Sequence, residues 1–355
     1  MYAICRALVV AGCEVRVLTT NANGLGRVLD VPLGEHELEP GLRVRYVRHG
    51  YRHSTSPALI RELPAHVRWG DVVHIGSAYN FPTIPTLAAA RVFDRPVVLS
   101  PQGALQRWEG STKPRVKLAY ERVCSLIAPR RFALHLTSRS EQAQSRERMP
   151  SALAEYIPHS VTIPETSAAH VPRNGKLRLV ALGRLHPIKG LENLLEACGK
   201  LATHQSFPFE LTLAGDGDAA YVGLLQRRAR ELGIEASVVF AGQVNEAQKA
   251  ALFARSDLLV APSFTENFGL AIAEALAHGV PVIAGNGTPW NDLEEEGCGF
   301  WVPNDASTLA LTIRRASTLP LREMGERGRQ WMQRDFTLSG QGRAFVGLYE
   351  RLLKG

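Results

Sequence analysis

The sequence has few cysteines, and their spacing fits neither a disulfide framework nor a zinc site. Five cysteines occur in 355 residues, and no two of them form a Cys-x-x-Cys pair. The odd number and the wide spacing exclude small disulfide-stabilised domains and zinc ribbons. A reduced, cytoplasmic environment therefore fits this composition best.

Long hydrophobic runs are also missing. The uncharged stretch 72–90 contains His74, Pro82 and Pro85, which a membrane-spanning helix would not tolerate. The first apolar run is interrupted by Arg6 and follows no basic segment, so no secretory signal is predicted. With 45% hydrophobic residues, the chain is expected to be soluble and long enough for two domains.

Charge is unevenly distributed along the chain. Residues 1–170 contain 21 Lys/Arg and 14 Asp/Glu, whereas residues 171–355 contain 20 of each, so the first half carries the whole net charge of +7. This excess predicts an anionic partner, for which an anionic lipid surface or a diphosphate-linked molecule is preferred. Nucleic acid is the rival partner, but the sequence has no arginine-rich arm, zinc finger or aromatic RNA-binding signature.

Predicted strands and helices alternate along the first half, as they do in α/β proteins. The predicted strands are 14–20, 42–47, 71–75, 96–100 and 132–137, and the predicted helices are 2–11, 57–66, 82–92, 113–128 and 138–148. This order predicts a parallel sheet covered on both faces. Ligands bind beyond the carboxyl ends of such strands, where His74 and the pair Gln102–Gly103 stand.

The predicted helix 113–128 has an apolar stripe, with basic residues largely off it. The stripe consists of Val116, Ala119, Tyr120, Val123 and Ile127. We expect this stripe to face the core and the basic side to face solvent. Contact of the helix with a membrane surface is the alternative.

The stretch 262–283, PSFTENFGLAIAEALAHGVPVI, is the most informative part of the sequence. A loop carrying Glu266 leads into a predicted helix from about Gly269 to His278, which carries Glu274. The start of such a helix favours an anion near Asn267 and Gly269, because its amides and the positive end of its dipole point there. The residues expected on its buried face are Leu270, Ala273, Leu276 and Ala277.

A second predicted anion site lies upstream. The predicted strand Leu177–Leu182 is followed by the loop GRLHPIKG, which leads into a predicted helix, Leu191–Leu201. Arg184 offers a planar fork and Lys189 a point charge for phosphate oxygens.

These motifs together resemble those of a known family. GRLxxxKG, followed roughly eighty residues later by PSxxExFGLxxxEAxAxGxPVIA, resembles the donor-binding half of the retaining family 4 glycosyltransferases over most of 177–303. The resemblance implies the GT-B fold, in which two Rossmann-like parallel-sheet α/β domains face each other across a cleft. Residues 1–165 would form the acceptor-binding domain, and 166–335 the nucleotide-sugar-binding domain. Stretch 164–175 reads as the linker, and a helix at about 340–355 would pack back on the first domain.

The resemblance also implies roles for individual residues. Arg184, Lys189 and Glu266 are expected to be catalytic: the two cations would hold the diphosphate, and Glu266 with the following amides would face the donor sugar. Glu274 would bind the ribose hydroxyls, and the backbone at Gln243 would contact the base. The expected donor-binding residues are Gly183, Gln243, Val244, Asn267, Phe268, Gly269, Leu270 and Glu274. On the acceptor or sugar side, the expected residues are His74, Gln102 and Gly103.

The sequence departs from the family pattern in two places. The family places a strand and a glycine-rich loop before the first helix, and neither precedes 2–11 here, so we expect the N-terminal domain of this sequence to lack its first strand. We therefore expect an upstream segment of roughly twenty residues. Many relatives have histidine where Gln102 stands, and glutamine accepts no proton near neutral pH.

Two further motifs imitate other sites. The sequence GDGDAA at 215–220 has the spacing of a dinucleotide fingerprint, but the next predicted strand, Val238–Phe240, ends without the required acid. Asp216 and Asp218 imitate a metal-binding DxD, but a turn capped by side chains explains them. We therefore expect no resident metal ion and no cofactor beyond the nucleotide-sugar co-substrate.

The sequence thus predicts a retaining hexosyltransferase of surface polysaccharide biosynthesis. The donor would be a nucleotide diphosphate sugar and the acceptor a glycan or a polyprenyl-diphosphate-linked sugar, with the enzyme peripheral on the cytoplasmic membrane. One alternative is a nucleotide-sugar epimerase on the same fold. Another is an inactive nucleotide-sugar-binding subunit, which the missing glycine-rich loop and Gln102 favour.

Overall fold

The protein is described by a computed structural model that covers residues 1–23, 27–50, 55–106, 113–165, 175–203 and 207–355. The chain divides into two compact units. Unit 1 comprises Met1–Ser160 and Leu338–Gly355, and unit 2 comprises Val161–Thr337. Most of the predicted linker, 166–174, lies outside the described residues. In the described part of the chain, no helix is both long and apolar enough to cross a membrane.

The described residues of unit 1 form two sheets. The first has the strand order β1-β3-β2, with β1 (Val15–Thr20) parallel and β2 (Gly34–Glu39) antiparallel to β3 (Leu42–Val47). The second is fully parallel and runs in chain order through β4 (Val73–Ile75), β5 (Val97–Leu99), β6 (Phe132–Leu136) and β7 (Leu153–Tyr156). The predicted parallel α/β pattern is confirmed in the second sheet, whereas the first three strands form a separate sheet.

Five helices are described in the first part of unit 1. They are α1 (Tyr2–Val10), α2 (Pro57–Trp69), α3 (Thr83–Val92), α4 (Pro114–Ile127) and α5 (Arg139–Arg148). Ser56 caps α2 by accepting a hydrogen bond from the Leu59 amide, and Pro57 occupies the first helical position. Ser138 caps α5 in the same way through the amide of Glu141.

Only part of the predicted apolar stripe of helix α4 faces the core. Val116 is 65% exposed and Val123 is 42% exposed, whereas Glu121 and Cys124 are buried. The prediction that Val116, Ala119 and Val123 face the core is therefore wrong, although Tyr120 and Ile127 do pack against it. The Glu121 carboxylate lies on the inward face and accepts a hydrogen bond from the Tyr79 hydroxyl, and a buried carboxylate needs such a partner.

Unit 2 is built on one parallel sheet of strand order β10-β9-β8-β11-β12-β13. The strands are β8 (Leu177–Leu182), β9 (Phe209–Ala214), β10 (Val238–Gly242), β11 (Leu258–Ala261), β12 (Val282–Gly285) and β13 (Gly299–Val302). The helices are α6 (Leu191–Thr203), α7 (Ala219–Glu231), α8 (Glu246–Arg255), α9 (Leu270–Ala277), α10 (Ala306–Ser317) and α11 (Leu321–Asp335). Because β9 and β11 flank β8 on opposite sides, the strand order reverses between β8 and β11.

Both faces of this sheet are buried. Along β8, Leu177 and Leu179 belong to the hydrophobic cluster on one face, and Val180 belongs to the cluster on the other. A strand that is covered on both sides needs apolar residues at successive positions, which explains the nearly continuous apolar sequence of β8.

Helix α9 is buried around most of its circumference, but its first residue is not. Ile272, Ala273 and Leu276 are 1% exposed or less, whereas Leu270 is 50% exposed. The prediction that Leu270 lies on the buried face is therefore wrong. A helical side chain covers the turn before its own position, and Leu270 has no preceding turn to pack on. Glu274 lies one turn later on the same, more open face.

Helix α12 (Leu338–Lys354) follows unit 2 in the chain but belongs to unit 1. Phe345 and Leu348 are fully buried in one cluster with Ile4 of α1. The two helices approach so closely that a Cβ at Gly342 would lie 2.1 Å from the Ala7 carbonyl oxygen. Glycine at position 342 therefore permits this crossing.

Candidate functional site

Two loops meet where the strand order of unit 2 reverses. Loop 183–190 follows β8 and loop 262–269 follows β11, and these strands are neighbours in the sheet. The Phe264 amide donates to the Ile188 carbonyl oxygen over 2.9 Å. A Cβ at Gly190 would lie 2.1 Å from the Pro262 carbonyl oxygen, so only glycine allows this approach. Ligands of open parallel sheets bind at such a reversal point.

The contact between the loops brings Lys189 and Glu266 together. The Lys189 ammonium group donates to Oε1 of Glu266, and the two side chains are 24% and 17% exposed. The Ser263 hydroxyl donates to the same oxygen over 3.0 Å. Gly183 borders this pair, since a Cβ there would lie 3.9 Å from the Lys189 ammonium nitrogen. Two residues 77 positions apart in sequence thus form one partly buried ion pair.

Arg184 lies in the same loop and is exposed. Within the described ranges it forms no ion pair with a carboxylate, in contrast to Lys189. Of the two predicted cations, Lys189 is therefore held in an ion pair and Arg184 is exposed.

The loop before α9 is held by Trp290. The indole Nε1 of Trp290 donates to the Phe268 carbonyl oxygen over 2.5 Å, and the Phe268 ring packs edge-on against the indole with centroids 5.4 Å apart. The Phe268 side chain therefore anchors the loop from inside the core. Gly269 precedes α9 with a φ of +82°, and no side chain caps the helix there. The amides of an uncapped helix start can bind an anion.

Glu274 is held by a residue that the sequence analysis missed. The Lys249 ammonium nitrogen lies 2.6 Å from Oε1 of Glu274 and 2.9 Å from Oε1 of Glu246. The Lys249 side chain is 11% exposed. Burial alone would lower the pKa of Lys249, but the hydrogen bonds to the two glutamates outweigh it and raise the pKa. No local pattern marks Lys249, because its partner lies 25 residues away on another helix.

Gln243 and Val244 follow β10 at the same edge of the sheet. Gly242 has a φ of +65°, and its carbonyl oxygen accepts a hydrogen bond from the Gly215 amide over 2.7 Å. Asn245 then begins α8 with a reciprocal capping interaction with Gln248. Gln243 is exposed and Val244 is half-buried. Because β10 lies two strands from β8 in the sheet, both residues lie two strands away from loop 183–190.

Close backbone packing explains the glycines of the sequence GDGDAA. A Cβ at Gly215 would lie 1.9 Å from the Gly183 carbonyl oxygen, and one at Gly217 would lie 2.3 Å from that of Leu185. Asp218 accepts a hydrogen bond from the Ala220 amide and caps α7, as predicted. Within the described residues, no group of three His, Cys, Asp or Glu side chains is arranged to hold a metal ion.

In unit 1, both ring nitrogens of His74 are engaged. Nδ1 lies 2.6 Å from the Tyr349 hydroxyl, and Nε2 lies 2.6 Å from the Ser100 hydroxyl. Ser100 in turn lies 2.6 Å from Nδ1 of His135. Burial lowers the pKa of His74 to about 3 and that of His135 to about 4. The acceptor-side role of His74 stays a prediction.

Gln102 and Gly103 form a strained turn after β5. Gln102 has a φ of +52° and is exposed, and its side-chain amide lies 3.3 Å from the Met1 sulfur. The Gly103 amide donates over 2.5 Å to the buried Glu141 carboxylate, which also accepts from the Thr137 amide. This carboxylate fixes the turn to the end of β6.

Comparison with known protein families gives two matches that together cover most of the chain. The family model described as "Glycosyl transferases group 1" matches residues 162–331. A second, described as "Glycosyl transferase 4-like domain", matches residues 1–159.

Two curated proteins illustrate the sequence similarity. The chain is 24% identical to the MMP alpha-(1->4)-mannosyltransferase of Mycolicibacterium hassiacum over 275 residues, which are 75% of this chain and 62% of that protein. It is 39% identical to the D-inositol 3-phosphate glycosyltransferase of Mycobacterium tuberculosis over 112 residues, 30% of this chain and 22% of that protein. The matches thus span less than two thirds of the length of these curated relatives.

Solved structures share the fold at low sequence identity. Sucrose-phosphate synthase from Thermosynechococcus elongatus aligns with a TM-score of 0.77 and 21% identity, covering 99% of this chain and 92% of that one. HepE from Anabaena, in complex with UDP and glucose, aligns with a TM-score of 0.74 and 19% identity, covering 98% and 95%. WaaG, a glycosyltransferase involved in lipopolysaccharide biosynthesis, aligns with a TM-score of 0.68 and 16% identity, covering 97% and 94%.

Proposed function

The chain belongs to the group 1 glycosyltransferases, and from that premise we propose that it transfers a hexosyl group from a nucleotide diphosphate sugar, with retention of the anomeric configuration. The acceptor in this proposal is a glycan or a polyprenyl-diphosphate-linked sugar of surface polysaccharide biosynthesis. The observation that carries the proposal is the meeting of Lys189 and Glu266 beside the uncapped start of α9. A similar fold in a protein that contains UDP and glucose, and in one of lipopolysaccharide biosynthesis, supports it.

The site offers positive charge where a leaving diphosphate needs it. When the bond between the anomeric carbon and the phosphate oxygen breaks, negative charge grows on that phosphate. Lys189, the exposed Arg184 and the first amides of α9 are the groups that would stabilise it. A fixed donor of this kind is worth about 3 kcal/mol in the transition state. We therefore propose that these groups carry the catalysis without a resident metal ion.

Two glutamates define the orientation of the donor in this proposal. Glu266 is fixed on one oxygen by Lys189 and Ser263, and it would bind hydroxyl groups of the donor sugar. Lys249 binds Oε1 of Glu274, so the ribose hydroxyls would bind the other carboxylate oxygen. The exposed Leu270, one turn before Glu274, would cover the nucleoside, and the backbone at Gln243 and Val244 would contact the base.

The proton of the acceptor needs a destination. Both ring nitrogens of His74 are already hydrogen-bonded, and Gln102 accepts no proton near neutral pH. We propose that the leaving phosphate oxygen takes it. The acceptor oxygen then forms the new bond on the face that the phosphate leaves, and its proton passes to that phosphate.

A panel of UDP-, GDP- and ADP-sugars tests the donor site. A ligand at a hundred times its Kd adds about 2.7 kcal/mol to the free energy of unfolding, which is visible as a thermal shift. We expect one nucleotide class to stabilise the protein, Lys189→Ala to lower kcat/KM at least about tenfold and Glu274→Gln to weaken donor binding. The exposed residues Lys200 and Glu235 provide matched controls, Lys200→Ala and Glu235→Gln.

Three outcomes would contradict the proposal. If both site variants behave like their controls, the site assignment is wrong. If the donor turns over without any acceptor, the epimerase alternative is favoured. If a nucleotide sugar binds but is not consumed with any glycan or lipid-linked acceptor, the protein is a binding subunit.

A further inference from the structure

Asn304 binds a backbone carbonyl group of the loop that leads to Glu266. Its side-chain amide nitrogen donates to the Pro262 carbonyl oxygen over 3.1 Å. A carbonyl oxygen can only accept, so the nitrogen of the amide group, and not its oxygen, faces Pro262. This is the same carbonyl oxygen to which a Cβ at Gly190 would come within 2.1 Å. One peptide group therefore lies close to both Asn304 and the loop after β8.

This contact joins strands that are not neighbours in the sheet. Asn304 lies two residues after β13, and β12 separates β13 from β11. The Asn304 side chain passes the end of β12 at Gly285. A Cβ at Gly285 would lie 3.3 Å from the Asn304 Cβ and 3.2 Å from the Pro262 carbonyl carbon. Glycine at position 285 therefore leaves the room that this hydrogen bond needs.

The backbone on both sides of Asn304 is anchored. The Asn193 side chain on α6 donates from its amide nitrogen to the Asn304 carbonyl oxygen over 2.7 Å. The next residue, Asp305, caps α10 by accepting hydrogen bonds from the Ser307 and Thr308 amides. A side chain on such a fixed backbone can hold its partner in one position.

The residues that follow Pro262 connect this hydrogen bond to the ion pair of the candidate site. Ser263 comes next, and its hydroxyl donates to Oε1 of Glu266 over 3.0 Å. The Phe264 amide then donates to the loop after β8 over 2.9 Å. Because the peptide group after Pro262 is planar and rigid, a shift of its carbonyl oxygen would also move Ser263 and Phe264. The hydrogen bond from Asn304 therefore bears on both contacts.

We propose that Asn304, held in place by Asn193, is a positioning residue for the Lys189–Glu266 pair. It acts through the Pro262 carbonyl oxygen and sets the spacing between the loops after β8 and β11. Its effect on catalysis rests on the proposed function, in which these loops carry groups that stabilise the leaving phosphate and face the donor sugar. A small error in such spacing lowers a reaction rate without unfolding the protein.

Asn304→Asp in the full chain tests the proposal at nearly constant shape. At neutral pH a carboxylate has no donor, so it would repel the Pro262 carbonyl oxygen instead of binding it. We expect hydrogen exchange of the Phe264 amide to become about tenfold faster, because the two loops separate more often. With the best-binding nucleoside diphosphate among UDP, GDP and ADP, kcat should fall about tenfold and Kd should change less than about threefold, since Glu274 keeps its place.

A second variant and a matched control complete the experiment. Asn193→Ala removes the hydrogen bond to the Asn304 backbone, so it should change the exchange rate and kcat in the same direction by about threefold. Adding it to Asn304→Asp should have little further effect, because both residues act through one hydrogen bond. Gln226→Glu makes the same amide-to-carboxylate change at an exposed position of α7 and should leave all three quantities unchanged.

Three results would overturn the proposal. The first is an unchanged exchange rate of the Phe264 amide in Asn304→Asp, and the second is an unchanged kcat. The third is a loss of kcat and of nucleotide affinity by the same factor, which would mean that the whole site is disturbed. Thermal unfolding checks that the variants fold, and Asn193→Ala supports the same comparisons if Asn304→Asp does not.

Failure of the proposed function would look different. A parent protein that transfers no sugar to any acceptor would contradict the transferase activity. The exchange rate of the Phe264 amide would still show whether Asn304 holds the two loops together, because that measurement needs no substrate.

Discussion

A buried hydrogen-bond chain in unit 1 predicts that this unit loses stability between pH 7 and pH 5. Nε2 of His135 lies 2.8 Å from the Ile157 carbonyl oxygen, which can only accept, so Nδ1 of His135 must accept from Ser100. The Ser100 oxygen then accepts from Nε2 of His74, and Nδ1 of His74 accepts from Tyr349. This order requires both histidines to be neutral.

The magnitude follows from the two pKa values. Burial lowers the pKa of His74 to about 3 and that of His135 to about 4, against about 6.5 in the unfolded chain. As the pH falls below 6.5, the unfolded chain takes up protons that the folded unit does not, so the free energy of unfolding decreases. Between pH 7 and pH 5 each histidine costs about 2 kcal/mol, or about 4 kcal/mol together. This sum requires only that both folded pKa values lie well below 5.

Two measurements check this prediction. Long-range proton–nitrogen NMR spectra of the imidazole rings report the protonation and tautomer of each histidine. Hydrogen exchange of buried amides in β5 and β6 reports the opening free energy of unit 1 without assuming that the whole chain unfolds in one step. His74→Asn and His135→Asn should each lower the opening free energy of unit 1 at pH 7 and make this free energy less dependent on pH. His36→Asn, on β2, is the control and should leave the pH dependence as it is.

Either of two observations would contradict this prediction. One is uptake of a proton by His74 or His135 above pH 6 in the folded protein. The other is an opening free energy of unit 1 that stays constant from pH 7 to pH 5.

Two further predictions concern unit 2. Lys249→Met should weaken binding of the preferred nucleoside diphosphate about tenfold, because Glu274 would lose its orientation toward the ribose hydroxyls. Binding of the 2′-deoxy form of that nucleotide should be weakened less. Equal losses of affinity for the two nucleotides in calorimetry would contradict this prediction. Gly190→Ala should destabilise unit 2 by about 3 kcal/mol or more and weaken nucleotide binding, since the new Cβ would overlap the Pro262 carbonyl oxygen. Gly233, with a similar φ of +67° against +64° and open space around it, gives the matched control Gly233→Ala, which should show only the smaller backbone strain.

Local patterns predicted β8 and α9, which border the candidate site, well. The strand Leu177–Leu182 was predicted with the bounds that the structure has, and α9 differs from its prediction by one residue at each end. Both segments have strong hydrophobic periodicity and are bounded by glycine or proline, which are signals that act within a few residues. The same signals located Lys189 and Glu266 in their loops.

Features that depend on distant partners escaped prediction. The strand β2, GEHELE, has low β propensity and is defined by its pairing with β3. The inward face of α4 includes Glu121, whose hydrogen-bond partner Tyr79 lies 42 residues away in the sequence. Lys249 is recognised as a site residue only through its hydrogen bond to Glu274 on another helix. In each case the local sequence pattern is absent or misleading, and the observed structure depends on a contact with a residue far away in the sequence.

The glycines near the reversal point of the strand order determine how closely the loops of the candidate site approach each other. Gly215 and Gly217 let the loop after β9 touch the loop after β8, and Gly190 lets the loop after β8 touch the one after β11. Backbone contacts therefore set the distance between these loops before Lys189 and Glu266 meet. It follows that exchanging either charged side chain should change ligand binding with little effect on the fold, whereas adding one methyl group at Gly190 should damage both.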